Sequence, residues 1–333
     1  MIDDLDTLPI PSLEFMDCDF YQRKKQGSIV IVASRGCPMR CSYCSVSCHS
    51  HLNYRRRTVD SVIKEIGFAV AKGVRFIDFE DENLSLNRAW FLSLLDRIVV
   101  EFSGLGLELR AMNGLLPTSL DKSMVLVMRD AGFKELNLSL CTTSTAMLNR
   151  FSRPDVTTDF ENVLSWAEDS GLSAVGYVII GAPRQTPVES LNDLIYLTDK
   201  PVLIGLSVYY PSPGSRDYEF CRQQGLLPES NNLCRSTALP ISHTTSRLEI
   251  VTLLRLGRIV NYMKALANKK QNINGPNEDK GKNILDLFLQ DGNIRGVDRS
   301  GELYLQPFSL RLTTQFLAAI AEKQVRAPYR IHH

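Results

Sequence analysis

The sequence predicts an α/β protein built on a partial (β/α)6 barrel of the TIM type, followed by a C-terminal extension of helices and a hairpin. From residue 28 to about residue 210, short apolar runs rich in β-branched residues alternate with longer helical patterns. No two of these runs are placed for a tight hairpin, so we expect parallel strands joined by helices. A doubly wound open sheet is the alternative. Both architectures place chemistry at the carboxyl ends of the strands.

Every predicted strand except the last is followed by a predicted helix. The strands are expected at residues 28–34, 74–80, 107–112, 134–140, 174–180 and 203–210. The helices are expected near residues 58–72, 87–102, 118–131, 158–170 and 187–199. Thr58 and Asp60 offer N-cap oxygens to the first helix. Gly73 and Gly132 suit the C′ position after the first and third helices.

The chain is expected to have three segments. They are a lead-in at residues 1–27, the core barrel at residues 28–215 and the C-terminal extension at residues 216–333. Within the extension, we expect a helix from about Ser246 to Ala267, a polar and solvated linker near residues 267–283, and a hairpin that turns at Asp298–Gly301.

Composition and charge exclude several classes of protein. The 333 residues are 44% hydrophobic and 23% charged, which is typical of a soluble globular chain. The formal net charge of +1 makes nucleic acid an unlikely partner, because nucleic-acid-binding domains are usually strongly basic. No apolar run has the length of a membrane span, and the N-terminus lacks a signal-peptide pattern. We therefore expect no membrane partner and a cytoplasmic location, where clustered cysteines indicate a metal or catalysis.

Three of the eight cysteines form the most informative motif. Cys37, Cys41 and Cys44 follow the first predicted strand with the spacing C-x3-C-x2-C. A cubane iron–sulfur cluster usually takes four cysteine ligands, so three would leave one iron open to a small molecule. The alternative is a tetrahedral zinc site formed by Cys41, Cys44, Cys48 and either His49 or His51. The motif has no second, distant ligand pair, which favours the cluster.

This motif resembles that of the radical S-adenosylmethionine (radical SAM) superfamily. In that family the motif follows the first strand of a (β/α) barrel, and an aromatic residue precedes the third cysteine, as Tyr43 does here. The form RGCPMRCSYCS is especially similar to the branch that often carries a cobalamin-binding domain. The resemblance covers about residues 15 to 215.

The resemblance implies a cofactor set and a chemistry. Cys37, Cys41 and Cys44 would ligate a [4Fe-4S] cluster, and the amino and carboxylate groups of SAM would chelate the open iron. Tyr43 would lie beside the adenine ring. An electron donor such as flavodoxin or ferredoxin would reduce the cluster, and cleavage of SAM would yield a 5′-deoxyadenosyl radical that abstracts hydrogen from an unknown substrate.

The resemblance also implies contacts to SAM at the ends of later strands. Asp81 and Glu82, followed by Asn83, match an acidic pair and Asn after the second strand, although the same residues could cap the next helix, as could Asn87. Gly181 after the fifth strand would allow a close approach to adenine, although a simple turn also favours glycine there.

Three further positions lie on or after the third and fourth strands. The fourth strand ends in Cys141 and Thr142 where the branch usually has Glu-Ser, so the hydroxyl of Ser139 or Thr142 would substitute for the missing carboxylate. Arg153 is the preferred partner of the SAM carboxylate, with a surface role as the alternative. Arg110 on the third strand either points a polar group into the barrel or forms a structural ion pair.

The specific reaction and the catalytic residues are not readable from the sequence. Only about thirty-six residues precede Cys37, so we do not expect this chain to bind cobalamin. A methyltransferase or methylthiotransferase acting on RNA or a natural product is one alternative function. A non-catalytic regulatory protein that binds a cluster or zinc is the other.

The scattered cysteines are expected to be small buried hydrophobic residues, namely Cys18, Cys141, Cys221 and Cys234.

Overall fold

The structure is a computed structural model that describes residues 2–15, 21–46, 54–230, 241–274, 296–297, 303–304, 309–321, 323 and 325–326. The chain divides into two compact units. The first contains Met1–Leu140 and Val156–Ala174, and the second contains Cys141–Asp155 and Val175–His333.

Strands and helices alternate along most of the described chain. The strands are β1 (Gln22–Arg23), β2 (Gln26–Ile31), β3 (Ser34–Arg35), β4 (Arg55–Arg56), β5 (Val74–Phe79), β6 (Glu108–Ala111), β7 (Glu135–Cys141), β8 (Ser173–Ile180), β9 (Leu203–Val208), β10 (Gly296–Val297) and β11 (Leu303–Tyr304). The helices are α1 (Val59–Ala71), α2 (Arg88–Phe102), α3 (Lys122–Ala131), α4 (Thr145–Phe151), α5 (Thr157–Asp169), α6 (Pro187–Thr198), α7 (Arg216–Gln223), α8 (Arg247–Asn274) and α9 (Leu310–Ile320).

The first unit contains a four-stranded sheet in the order β1-β2-β5-β6. Strands β2, β5 and β6 are parallel, whereas β1 pairs with β2 in an antiparallel hairpin. Side chains alternate between the two faces of the sheet. Ile31, Ile77 and Leu109 are fully buried on one face, and Asp78 and Arg110 are half-buried on the other. The buried face packs on helices, as a βαβ arrangement requires.

Two helices of the first unit begin at residues that the sequence offers as N-caps. The Thr58 side chain accepts a hydrogen bond from the Ser61 backbone N–H and begins α1, which confirms its predicted role. Asp60, the other candidate, instead forms an ion pair with Arg97. Asn87 caps α2 by accepting from the Trp90 backbone N–H.

The second unit contains the parallel pair β8 and β9, in register from Val175↔Leu203 to Ile180↔Val208. Helix α6 begins with a capping box between Thr186 and Glu189. Helix α8 packs on β9, and α9 packs on α6 and α8. Parallel strands joined by helices confirm the predicted α/β class, and the described strands do not close into one continuous sheet.

Several predicted boundaries are wrong in detail. The first predicted strand, 28–34, is divided, because β2 ends at Ile31 and the chain turns before β3. The extension helix continues to Asn274, so the predicted linker begins within a helix, and its remainder lies outside the described residues. The predicted hairpin is confirmed by the antiparallel pairing of β10 and β11, while its turn lies outside the described residues. The three predicted segment boundaries stay predictions.

The sequence also misses three helices, α4, α7 and α9. Two of them are short, with seven residues in α4 and eight in α7. Helices of this length have few turns in which an apolar stripe can repeat, so periodicity alone gives a weak signal.

Gly132 ends α3 at a position that only glycine tolerates. Its φ is +114°, and an added Cβ would lie 2.4 Å from the Leu107 carbonyl oxygen. We expect Gly132→Ala to lower the free energy of unfolding by about 2 kcal/mol, because it combines backbone strain with a backbone clash. The control is Gly67→Ala inside α1, where nothing lies within 4 Å of the new methyl group. This change should raise stability by about 0.5–1 kcal/mol, and denaturant unfolding measures both variants. Equal effects of the two substitutions would contradict the assignment.

Candidate functional site

The three cysteines lie on residues 33–57, which we call the cysteine loop. This loop is closed at its base by a short antiparallel pair of strands. Strands β3 and β4 pair in register, with Ser34 opposite Arg56 and Arg35 opposite Arg55. The Arg57 backbone N–H then donates to the Ala33 carbonyl at 2.9 Å. The segment between Arg35 and Arg55, which carries the three cysteines, therefore starts and ends at adjacent points of the structure.

A nearly buried guanidinium anchors this base. Arg57 contacts the Glu65 carboxylate and donates to the Ser61 side chain and the Val32 carbonyl. Its own carbonyl accepts from the Trp90 indole N–H at 2.9 Å. Both members of the Arg57–Glu65 pair are nearly buried, so the pair is screened little by solvent and holds the end of β4 on α1.

The three thiols occupy different environments on this loop. Cys41 is buried, whereas Cys37 and Cys44 are half-buried. The Cys44 backbone N–H donates to the Cys41 carbonyl at 3.2 Å, so the loop turns between these two residues. Among the described residues, no group of three or more His, Cys, Asp or Glu side chains is arranged as a metal site.

Asp81 follows β5 and supports the start of the cysteine loop. Its side chain accepts from the Ser34 hydroxyl at 2.5 Å and from the Ala33 backbone N–H at 3.3 Å. Its backbone carbonyl accepts from the Asn113 side chain at 3.3 Å. Burial raises the pKa of Asp81 to about 6, with a contribution from the neighbouring charge of Glu82, while the hydrogen bonds from Ser34 and Ala33 oppose the shift. Burying this carboxylate in its charged form therefore costs free energy, and each of its two oxygens accepts a hydrogen bond.

Glu82 and Asn83 contact the next three residues of the loop. Glu82 accepts from the Gly36 backbone N–H at 3.1 Å and lies 3.7 Å from the Arg35 guanidinium. The Asn83 amide nitrogen lies 3.9 Å from the Cys37 sulfur, within hydrogen-bonding range of a thiol. Sequence reasoning proposed that these residues contact a ligand or cap a helix. The structure gives the capping role to Asn87 and brings residues 81–83 onto the cysteine loop.

Two further candidates lie in the first unit. Tyr43 is half-buried within the cysteine loop, next to Cys44. Ser139 is half-buried on β7, and its backbone N–H donates to the Leu115 carbonyl at 2.9 Å. Their predicted contacts to SAM stay predictions.

The remaining candidates lie in the second unit. Thr142 is buried, and its hydroxyl accepts from the Ser144 backbone N–H at 3.1 Å. Gly181 has a φ of +70°, a left-handed conformation that glycine adopts readily and that suits a turn after β8. The Arg153 backbone N–H donates to the Leu148 carbonyl at 3.0 Å. The contacts of these three residues with SAM also stay predictions.

The residues just after β7 contact a carboxylate of α6 that sequence reasoning missed. Cys141 has a φ of +74°, which is unusual for a residue other than glycine. Just beyond it, the Thr143 backbone N–H and hydroxyl donate to the Asp193 carboxylate at 2.6 and 2.7 Å. Burial raises the pKa of Asp193 to about 6, although the bonds from Thr143 oppose the shift. The detectable signal was an acidic residue between the buried leucines Leu191 and Leu194 of α6.

Two further polar residues have structural roles. Gln185 is fully buried. It donates to the Ile179 carbonyl and accepts from the Ala182 backbone N–H, both at 3.0 Å, so it holds the turn after β8. Arg110 binds both oxygens of Asp78, at 2.9 and 3.0 Å, which is the structural ion pair considered as its alternative role.

Comparison with known protein families identifies the domain that contains the cysteine loop. Residues 31–195 match the profile of the radical SAM superfamily. These residues form a radical SAM domain. The match contains the cysteine loop and the strands β5 to β8. Proteins of this family use a [4Fe-4S] cluster and SAM, which confirms the predicted cofactors at the level of the family.

Curated relatives of the radical SAM domain include methyltransferases. The chain is 25% identical over 269 residues to an uncharacterized methyltransferase of Pyrococcus horikoshii, covering 79% of this chain and 58% of that protein. It is 24% identical over 234 residues to the hopanoid C-2 methylase of Rhodopseudomonas palustris, covering 69% of this chain and 43% of that protein. The chain therefore spans about half the length of these relatives.

Solved structures support the fold of the radical SAM domain. The methyltransferase TsrM from Kitasatospora setae, determined with cobalamin and a [4Fe-4S] cluster bound, is 19% identical with a TM-score of 0.53, covering 64% of this chain and 40% of that one. The cobalamin-dependent SAM radical enzyme OxsB is 12% identical with a TM-score of 0.53, covering 91% of this chain and 51% of that one. At these identities the likeness concerns the fold alone, and it confirms the partial barrel.

The donor set of the radical SAM domain fits an iron–sulfur cluster. Iron–sulfur clusters are held by cysteine thiolates, and Cys37, Cys41 and Cys44 supply three of them on one anchored loop. Cys141 and Cys221 lie outside this loop and are buried, as expected for small hydrophobic residues.

The remaining cysteine and histidine candidates lie outside the described residues: Cys18, Cys48, His49, His51 and Cys234. No described helix combines the length and hydropathy that a transmembrane span needs.

Proposed function

We propose that this chain is a radical SAM enzyme in which Cys37, Cys41 and Cys44 hold a [4Fe-4S] cluster. The observation that carries the proposal is the cysteine loop, which is tied at its base by the β3–β4 ladder and supported by Asp81, Glu82 and Asn83. When bound, the cluster supplies the electron that splits the sulfonium C–S bond of SAM and yields a 5′-deoxyadenosyl radical for hydrogen abstraction. The protein positions these groups and excludes water.

The residues of the chain have distinct proposed roles. Asp81 and Glu82 hold the loop that presents the thiols. From their position just after β5, these carboxylates would also contact the SAM amino group. The further SAM contacts that we propose are Tyr43, Ser139, Thr142, Arg153 and Gly181. An arginine suits the SAM carboxylate because its guanidinium can bind both oxygens. A reductant such as flavodoxin or ferredoxin would deliver the electron.

Methyl transfer is the reaction class that the comparisons favour. The curated relatives named above are a methyltransferase and a methylase, and they include matches over most of this chain. A non-catalytic protein that binds a cluster or zinc is the contrasting function.

Anaerobic reconstitution of the iron–sulfur cluster distinguishes a radical SAM enzyme from a non-catalytic binding protein. The purified protein is supplied with iron and sulfide, reduced with dithionite and mixed with SAM. We expect a brown protein that forms 5′-deoxyadenosine, measured by liquid chromatography. A variant in which Cys37, Cys41 and Cys44 are all alanine is the matched control and should form none. A brown wild-type protein that leaves SAM intact would support the non-catalytic function, and a colourless protein that contains zinc would contradict the cluster.

A further inference from the structure

The stretch Asp81–Asn83 contacts the cysteine loop in a regular order. Asp81 binds Ala33 and Ser34, Glu82 binds Gly36, and Asn83 reaches Cys37. Successive residues after β5 thus contact successive positions of the loop. The last contact differs in kind, because it joins an amide donor to a sulfur atom rather than a carboxylate to a backbone N–H or a hydroxyl.

We propose that Asn83 is a positioning residue that donates its side-chain N–H to the Cys37 sulfur and thereby raises the reduction potential of the cluster. This inference rests on the proposed function, since it requires Cys37 to be a cluster ligand. Hydrogen bonds to the ligating sulfurs are among the factors that set the potential of an iron–sulfur cluster. An N–H dipole stabilises the reduced cluster, which carries one more negative charge, more than it stabilises the oxidised cluster.

The surroundings of Asn83 strengthen this effect. Asn83 is 5% exposed, and in such a low-dielectric site a hydrogen bond to a charged sulfur is stronger than in water. The nitrogen lies 3.9 Å from the sulfur, a distance suited to the large radius of that atom. The reverse orientation of the amide would place its oxygen against the sulfur, which would bring two acceptors together.

The other end of the same amide argues against a purely structural role. The Asn83 side-chain oxygen is buried and has no hydrogen-bond partner among the described residues. A buried acceptor without a partner costs about 1–3 kcal/mol, so an apolar residue of similar size would be the more stable choice if packing were the only requirement. The amide is therefore better explained by the interaction that its nitrogen makes with Cys37.

The test is a redox titration of the reconstituted protein, followed by electron paramagnetic resonance of the reduced cluster. Asn83→Leu removes the donor at similar volume, and Asn83→Asp removes it at nearly identical shape while adding negative charge. We expect Asn83→Leu to lower the equilibrium constant for reduction about tenfold, which is 59 mV for one electron. Asn83→Asp should lower it further. Bound iron should stay at the wild-type level in both variants.

The matched control is Asn113→Leu. Asn113 also donates to this region, but to the Asp81 carbonyl rather than to sulfur. Its loss should leave the potential unchanged. Wild-type potentials in both Asn83 variants, or loss of iron from both, would overturn the assignment, as would an equal shift in Asn113→Leu. A cluster that shows the expected shifts but does not cleave SAM would overturn only the proposed function. A wild-type chain that binds no cluster would overturn both.

Discussion

Replacing Cys41 with alanine should remove most of the bound iron and abolish formation of 5′-deoxyadenosine. Cys41 is the central thiol of the motif, and its carbonyl accepts from Cys44 at the turn of the loop. With two thiolates left, the cluster has one protein ligand fewer than an open-iron site provides. The measurements are iron per protein after anaerobic reconstitution, the visible absorption of the cluster, and the yield of 5′-deoxyadenosine.

The control for this prediction is Cys221→Ala in the second unit. Cys221 is fully buried, and its sulfur lies 3.8 Å from the Tyr209 hydroxyl. Removing one buried sulfur should cost about 1 kcal/mol of stability through a small cavity, without changing bound iron. If Cys221→Ala lost as much iron as Cys41→Ala, our division between ligand and core cysteines would be wrong.

The sequence predicted those parts of the fold that depend on local patterns. Strand β8 and helix α2 lie within one residue of their expected ends, because each combines an apolar pattern with a clear turn or cap. The split of the first strand was not predictable, because the pairing of β3 with β4 joins residues about twenty positions apart. Nothing in the local apolar run around Ala33 marks the end of β2.

The candidate site shows the same limit. The spacing of Cys37, Cys41 and Cys44 is a local feature, so it was visible in the sequence. The partners of Asp81 were not, because its contacts with Ser34 and Ala33 cross 47 and 48 positions of the chain. Strand-end carboxylates could be listed as ligand candidates, but only the fold reveals that this one already serves the cysteine loop.

The second large effect is expected at Lys264, a fully buried lysine on α8. Its ammonium donates to the carbonyl oxygens of Leu197, Lys200 and Val202 at 2.7, 2.8 and 2.7 Å. Lysine has three N–H donors, so each one has an acceptor. Burial lowers the pKa of this ammonium, and the nearby carboxylate of Asp199 opposes the shift. Because the last carbonyls of a helix lack partners within it, the contact with Leu197 also caps the end of α6.

We therefore expect Lys264→Met to lower the free energy of unfolding by about 3 kcal/mol, since methionine fills the space but leaves buried carbonyls short of donors. Denaturant unfolding followed by circular dichroism measures the loss. The control is Lys64→Met on the exposed face of α1, which should change stability by less than about 0.5 kcal/mol. A Lys264→Met protein as stable as wild type would mean that apolar packing compensates for the three lost bonds. In that case the connection from α6 to β9 would not depend on a buried charge.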